Sequence, residues 1–282
     1  MNQLTDTFKL YNGARIPGVG FGTWQIPSGE TTVNSVKKAI EAGYRHIDTA
    51  ADYGNEGSVG QAIKESGVNR EDLFLTSKLW NTDRGYEETK AAFEETVKKL
   101  GTDYLDLYLI HFPANAAQYD NWNEINLETW KAMTELYQAG KIKAIGVSNF
   151  KIHHLESLVQ TEVKPMVNQI EYHAGFTQDE VVDYSKNHDI LVEAWSPIGS
   201  GRLLENESLK EIAQKYDKTV AQLCIRYVLQ NDILPLPKSV TPERIEENTH
   251  LFDFEITDED MKAIDAMENI GYSGMDPDEI DF

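Results

Sequence analysis

The chain has 282 residues, 40% of them hydrophobic, enough to bury the core of one barrel-sized domain, for which roughly 250 residues is typical. Lysine and arginine total 26 against 47 aspartates and glutamates, and the formal charge of −21 disfavours nucleic acid and anionic membranes as partners. No leader pattern and no run near the ~20 apolar residues of a membrane span is read, so a cytoplasmic protein is expected; Cys224, the one cysteine, lies in an apolar helical run and reads as a buried, inert thiol.

At the start of the chain, Asn12-Gly13 lies between two short strand-like runs, which predicts a type I′ hairpin serving as a lid over the bottom of the fold. From residue 19 onward short apolar runs alternate with amphipathic helical stretches, the pattern of repeated βα units. There are eight such runs: Val19–Phe21, His46–Asp48, Leu73–Ser77, Leu105–Ile110, Ala144–Val147, Val167–Ile170, Ile190–Ala194 and Ile233–Leu236. Eight units predict a closed (β/α)8 barrel, one domain over residues 1–282. Thr31 is placed ahead of the first helix, Ser208 ahead of the seventh, and Thr257 with Asp260 has the shape of a capping box before an extra C-terminal helix. The acidic tail after Met267 reads as irregular, either folded over the top of the barrel or disordered.

In such a barrel the active site lies at the carboxyl ends of the strands. Asp48 ends the second run, Tyr53 follows five residues later, Lys78 comes directly after the third run and His111 directly after the fourth, so neighbouring strands aim four polar side chains at one point. Reducing a carbonyl requires a hydride on carbon and a proton on oxygen. Tyr53 can supply the proton if a nearby ammonium, Lys78, lowers its ordinary pKa; Asp48 offsets the burial of that ammonium, and a neutral His111 can orient the carbonyl. Trp24, Trp80 and Phe112, each just past a strand end, are the expected walls of a pocket for small carbonyl or dicarbonyl compounds, with His111 also facing the substrate. The loop Ala114–Asn126, with Tyr119 and Trp122, and the tail are the expected specificity elements.

No dinucleotide fingerprint or Walker motif is present, and GVGFG at 18–22 has its third glycine one residue early. A phosphate is therefore expected at the loops after the last strands, where Lys238, Ser239 and Arg244 cluster on an otherwise acidic protein; two cations there suit a 2′-phosphate. No metal-ligand set is read, since His153 and His154 lie on a helical stretch without metalloprotease spacing. Two rival readings are a Schiff-base aldolase using Lys78 and a non-catalytic redox sensor that binds its cofactor through these same residues.

Several segments, in order, resemble the aldo-keto reductases: GYRHIDTAADYGNEGSVG (43–60), the Lys78 segment, IHFP (110–113), GVSNF (146–150), NQIEYH (168–173) and LPKSVTPERIEEN (236–248). The resemblance covers nearly the whole chain and lies nearest the bacterial reductases of diketogluconate and methylglyoxal. It implies a catalytic tetrad of Asp48, Tyr53, Lys78 and His111, and NADPH as cofactor. It further implies that Lys238, Ser239 and Arg244 hold the 2′-phosphate, that Glu247 and Asn248 contact the adenine, and that Ser148, Asn149 and Gln169 bind the nicotinamide amide. Trp195 falls where a tyrosine or phenylalanine ring stacks on nicotinamide, with Ser196 beside it. Phe112 stands where relatives carry tryptophan. The expected assembly is a monomer or weak homodimer.

Overall fold

The computed structural model describes residues 1–268 and 270–282. Strands β1 (Thr7–Lys9) and β2 (Arg15–Pro17) pair antiparallel as an N-terminal hairpin. Its turn differs from the expected type I′. Gly13 donates its N–H to Leu10 O (2.9 Å), Leu10 donates to Ala14 O (2.9 Å), and only Gly13 has positive φ (91°). Three loop residues with one left-handed glycine make a type I turn with a bulge, because Asn12 retains an ordinary φ. The hairpin buries Leu10 and Ile16, while Tyr11 Oη donates to Lys164 O (2.7 Å) and Asn12 Nδ2 to Lys143 O (3.1 Å). Those carbonyls immediately precede barrel strands, so the hairpin closes the N-terminal end of the barrel, as expected.

The barrel follows as β3 (Gly20–Gly22), α1 (Glu30–Glu41), β4 (His46–Asp48), α2 (Glu56–Ser66), β5 (Phe74–Leu79), α3 (Tyr86–Leu100), β6 (Leu107–Ile110), α4 (Trp122–Gln138), β7 (Ile145–Ser148) and α5 (Ile152–Leu158). It continues through β8 (Val167–Glu171), α6 (Asp179–Asn187), β9 (Leu191–Trp195), α7 (Glu207–Lys215), α8 (Val220–Gln230), β10 (Leu234–Leu236), α9 (Pro242–Glu247) and α10 (Asp258–Asp265). Strands β3 to β10 pair in parallel in sequence order. Gly22 N donating to Pro237 O (3.0 Å) brings the two ends of the sheet together. Glycine is needed at this seam: a Cβ on Gly20 would lie 2.7 Å from His46 Nδ1 and collide with Leu236. Both faces of the sheet are covered, and β4 to β8 are buried at every position, which explains their apolar, non-alternating sequence.

Two helix starts are corrected. Helix α1 begins at Glu30, one residue before Thr31, because the chain turns at Gly29 (φ 96°), whose N–H is taken by Ser58 Oγ (2.7 Å). Helix α7 is capped by Asn206, whose side chain accepts from Leu209 N (3.0 Å), rather than started at Ser208. Thr257 does cap α10 through Asp260 N (3.3 Å).

The tail lies across the carboxyl end of the barrel. Ser273 donates from N and Oγ to the Glu171 carboxylate (2.9 and 2.6 Å), and Lys151 Nζ holds Asp276 and Asp278 (2.6 and 2.8 Å). Asn115 Nδ2 donates to Pro277 O and Ile280 O (2.9 and 3.1 Å). Among the described residues, no helix is long and apolar enough to cross a membrane.

Candidate active site

Register brings the four predicted catalytic side chains together at the carboxyl end. Asp48 ends β4, a single 3-10 turn (Ala51–Tyr53) presents Tyr53, Lys78 is the penultimate residue of β5, and His111 follows β6. Lys78 is completely buried. Its Nζ donates to Asp48 Oδ1 (2.5 Å), Thr49 O (3.0 Å) and Tyr53 Oη (3.1 Å), which uses all three ammonium hydrogens. Since Tyr53 Oη accepts from Lys78, its own hydrogen is left for the cavity that Tyr53 lines.

Burial penalises the Lys78 ammonium, but Asp48 and Tyr53 outweigh it and hold its pKa above the ordinary value. For Tyr53 the expected lowering does not prevail. Burial comes first and pushes the phenol up to about 12, and Lys78 pulls against it. His111 is held well below its ordinary value, by burial first and by Lys78 second, so it is neutral. The Tyr53 and His111 rings meet edge to face (centroids 5.5 Å), and Trp80 also meets His111 edge to face (5.2 Å).

A cavity of about 350 Å³ opens above these groups. Trp24, Trp80 and Phe112 all line it, as expected. Phe282 lines it too, stacked on Trp80 (5.7 Å, 9° between planes) and edge-on to Phe112 (5.5 Å). Tyr119 and Trp122 do not line it. Trp122 packs instead on His153 and His154, under the tail, and the loop 114–126 does not line the cavity but holds the tail over it, through Asn115 on Pro277 O and Ile280 O and Gln118 on Phe282 O (3.4 Å).

On the side of β7 to β10 the cavity is lined by Ser148, Asn149, Gln169, Trp195 and Ser196, and further out by Lys238, Ser239 and Arg244. Asn149 (φ 63°) and Ser196 (φ 52°) both adopt the left-handed conformation, strain of a kind that concentrates at functional sites. Trp195 Nε1 donates to Asn149 Oδ1 (2.8 Å), and the ring meets Trp24 edge-on (6.2 Å). Glu247 and Asn248 lie at the end of α9 and just beyond it, outside the lining; Asn248 is buried. Among the described residues, neither Lys238 nor Arg244 has a carboxylate partner, and burial lowers the Lys238 pKa.

Residues 18–269 match the Aldo/keto reductase family. The chain belongs to the aldo/keto reductase family. It is 51% identical to glyoxal reductase of Bacillus subtilis over 99% of each chain, and 42% identical to methylglyoxal reductase DkgA of Escherichia coli K12 over 96% of each. Among solved structures, a Gox0644 variant in complex with NADPH superposes with a TM-score of 0.91 at 40% identity, covering 99% of both chains.

In this aldo/keto reductase three contributors to the site were not read from the sequence. Asn55 is fully buried; it accepts from Thr49 Oγ1 (2.9 Å) and donates to Thr23 O and Ile26 O (2.9 and 3.0 Å), tying the loop that carries Trp24 to the turn that carries Tyr53. Phe282 lies in the tail that was expected to contribute to specificity, but nothing in the sequence singled out this residue within it. Glu193, fully buried in β9, did leave one: it is the only charge in the apolar run ILVEAW at 190–195.

Proposed function

We propose that this chain acts as one domain over residues 1–282, in the cytoplasm and as a monomer or weak homodimer, reducing small aldehydes, ketones and above all dicarbonyls, with Tyr53 as proton donor. Membership of the family makes it an NADP-dependent oxidoreductase of carbonyl compounds. The observation that carries the assignment of roles is the hydrogen bond from Lys78 Nζ to Tyr53 Oη.

When bound, NADPH supplies the hydride that reduces the carbonyl carbon. Tyr53 is protonated at neutral pH and turns its hydrogen toward the cavity, so it can deliver that proton to the carbonyl oxygen. The phenolate left behind sits against the Lys78 ammonium, which stabilises it where burial alone would oppose it. Asp48 keeps Lys78 charged and fixed in direction. Neutral His111 offers a ring N–H to orient the carbonyl without competing as an acid.

The residues present suit the cofactor. Lys238 and Arg244, two cations without carboxylate partners among the described residues, stand at one end of the cavity on a strongly acidic protein, matching a 2′-phosphate, with Ser239 between them in sequence. Ser148, Asn149 and Gln169 supply polar atoms for the nicotinamide amide, and Trp195 supplies an aromatic face. Glu247 and Asn248 are assigned to the adenine end by family resemblance. The walls Trp24, Trp80, Phe112 and Phe282 leave room for a small substrate, and relatives named for glyoxal and methylglyoxal support that class. A Schiff-base role for Lys78 is opposed by its three occupied hydrogens and raised pKa, which leave no lone pair for attack.

The test is loss of reduced-nicotinamide absorbance with NADPH or NADH and a panel of aldehydes, ketones and dicarbonyls. The expected result is turnover with NADPH preferred and dicarbonyls ranked high. NADPH binding without turnover on any carbonyl would favour the sensor reading instead.

A further inference from the structure

Glu193 has no part in the chemistry above, yet it is one of the most thoroughly enclosed charged residues in the barrel. It lies on β9 at the level of Gln169, its register partner on β8. Gln169 Nε2 donates one hydrogen to Asp48 Oδ2 (2.9 Å) and the other to Glu193 Oε2 (2.8 Å). An amide nitrogen carries two hydrogens, so both are spent. The atom Gln169 leaves to the cavity it lines is therefore Oε1, which has no partner among the described residues.

The neighbouring side chains are spent in the same sense. Asn149 Nδ2 donates to His111 O (2.9 Å) and Ser148 Oγ (3.1 Å), and Ser148 Oγ donates to Gln169 O (2.8 Å). None of the three has a side-chain N–H or O–H left for a ligand. Toward a ligand these three side chains can accept hydrogen bonds and do not give them.

We propose that Glu193 is a positioning residue: by taking one hydrogen of the Gln169 amide while Asp48 takes the other, it holds Gln169 Oε1 toward the cofactor and makes the site select nicotinamide by its carboxamide N–H groups. The inference rests on the NADPH-binding reading above. Burial, and then the nearby Asp48 charge, push the Glu193 pKa up to about 8, so at neutral pH it accepts at Oε2 while keeping its proton on Oε1, the oxygen that has no partner. Gln169 is thus held without a second anion beside the Asp48–Lys78 pair.

Replacing Glu193 by leucine removes the acceptor and strands one Gln169 hydrogen in an apolar wall. The amide turns to recover a partner and carries Oε1 away. Replacing it by glutamine keeps both the volume and an acceptor oxygen.

The experiment measures dissociation constants, by calorimetry, for NADP⁺ and for its 3-acetylpyridine analogue, which has a methyl ketone where nicotinamide has the carboxamide. The intact protein is expected to prefer NADP⁺ by about fivefold, the value of one hydrogen bond. In Glu193→Leu that preference falls below about twofold through weaker NADP⁺ binding, and in Glu193→Gln it is retained. If Glu193→Leu does not fold, Glu193→Met poses the same question with a flexible apolar chain. An unchanged preference in the leucine or methionine variant, or an equal loss for both ligands, overturns the positioning role. Equal binding of the two by the intact protein overturns the acceptor role of Gln169, and failure to bind NADP⁺ at all overturns the cofactor reading on which both stand.

Discussion

Glu193→Gln removes a buried titration and makes a quantitative claim about stability. An unfolded glutamate ionises near its ordinary value of 4.5, whereas in the folded protein Glu193 is pushed up to about 8, by burial first and Asp48 second. Between these values the unfolded chain has released a proton that the folded protein still holds. The folded pKa is the raised one, so the stabilising effect is complete below the unfolded value and is lost as pH rises toward 8. The loss runs at ~1.4 kcal/mol per pH unit and stops once both states are ionised. From about pH 6 to about pH 9 the window spans roughly two units, so the parent protein should lose about 3 kcal/mol more than the variant. That is a sizeable share of a typical total of about 5–15 kcal/mol. Urea unfolding of both proteins across this range gives the comparison, and the titrating groups that do not interact with Glu193 cancel in the difference. Profiles that stay parallel would refute the reasoning, for they would mean that Glu193 is ionised, and compensated, in the fold.

Three further outcomes are expected. Tyr53→Phe should lower carbonyl turnover by ~10²-fold or more while leaving the NADPH dissociation constant within about twofold, because only the donated proton is removed; steady-state rates and calorimetry check the two halves. Arg244→Ala should weaken NADPH by about tenfold and NADH hardly at all, measured as the ratio of dissociation constants. Phe282→Ala removes a ring stacked on Trp80, so KM for bulky aromatic aldehydes should fall severalfold relative to KM for a small dicarbonyl; equal KM changes would take Phe282 out of the pocket wall.

The barrel was legible because a parallel sheet covered on both faces writes itself as separated apolar runs. Each of the eight runs overlaps one of the strands β3 to β10, with ends shifted by at most two residues: His46–Asp48 coincides with β4, and Leu73–Ser77 became Phe74–Leu79. That Asp48, Lys78 and His111 come together was legible for the same reason, since each stands at or next to the carboxyl end of a strand, and Tyr53 joins them from the turn just past β4. What escaped depends on contacts remote in sequence. Asn12 reads as a turn residue, but which turn it makes depends on three-dimensional pairing across five residues. Thr31 has a capping side chain, yet Ser58 Oγ, from another helix, sets the start of α1. The net rise of the Tyr53 pKa could not be read either, because composition names the nearby cation while only the fold reveals how completely the phenol is desolvated.

Aromatic placement gives this protein its own optical reporters. Of five tryptophans, Trp24, Trp80 and Trp195 face the cavity, so their emission should change when a ligand displaces water there, and no attached dye is required. Trp122 packs against His153 and His154, to which the Asp278 carboxylate of the tail is docked, so its signal reads a different event, the seating of the tail. Trp130 is buried, its indole N–H satisfied by Val163 O (2.8 Å), and supplies the steady background against which both can be measured.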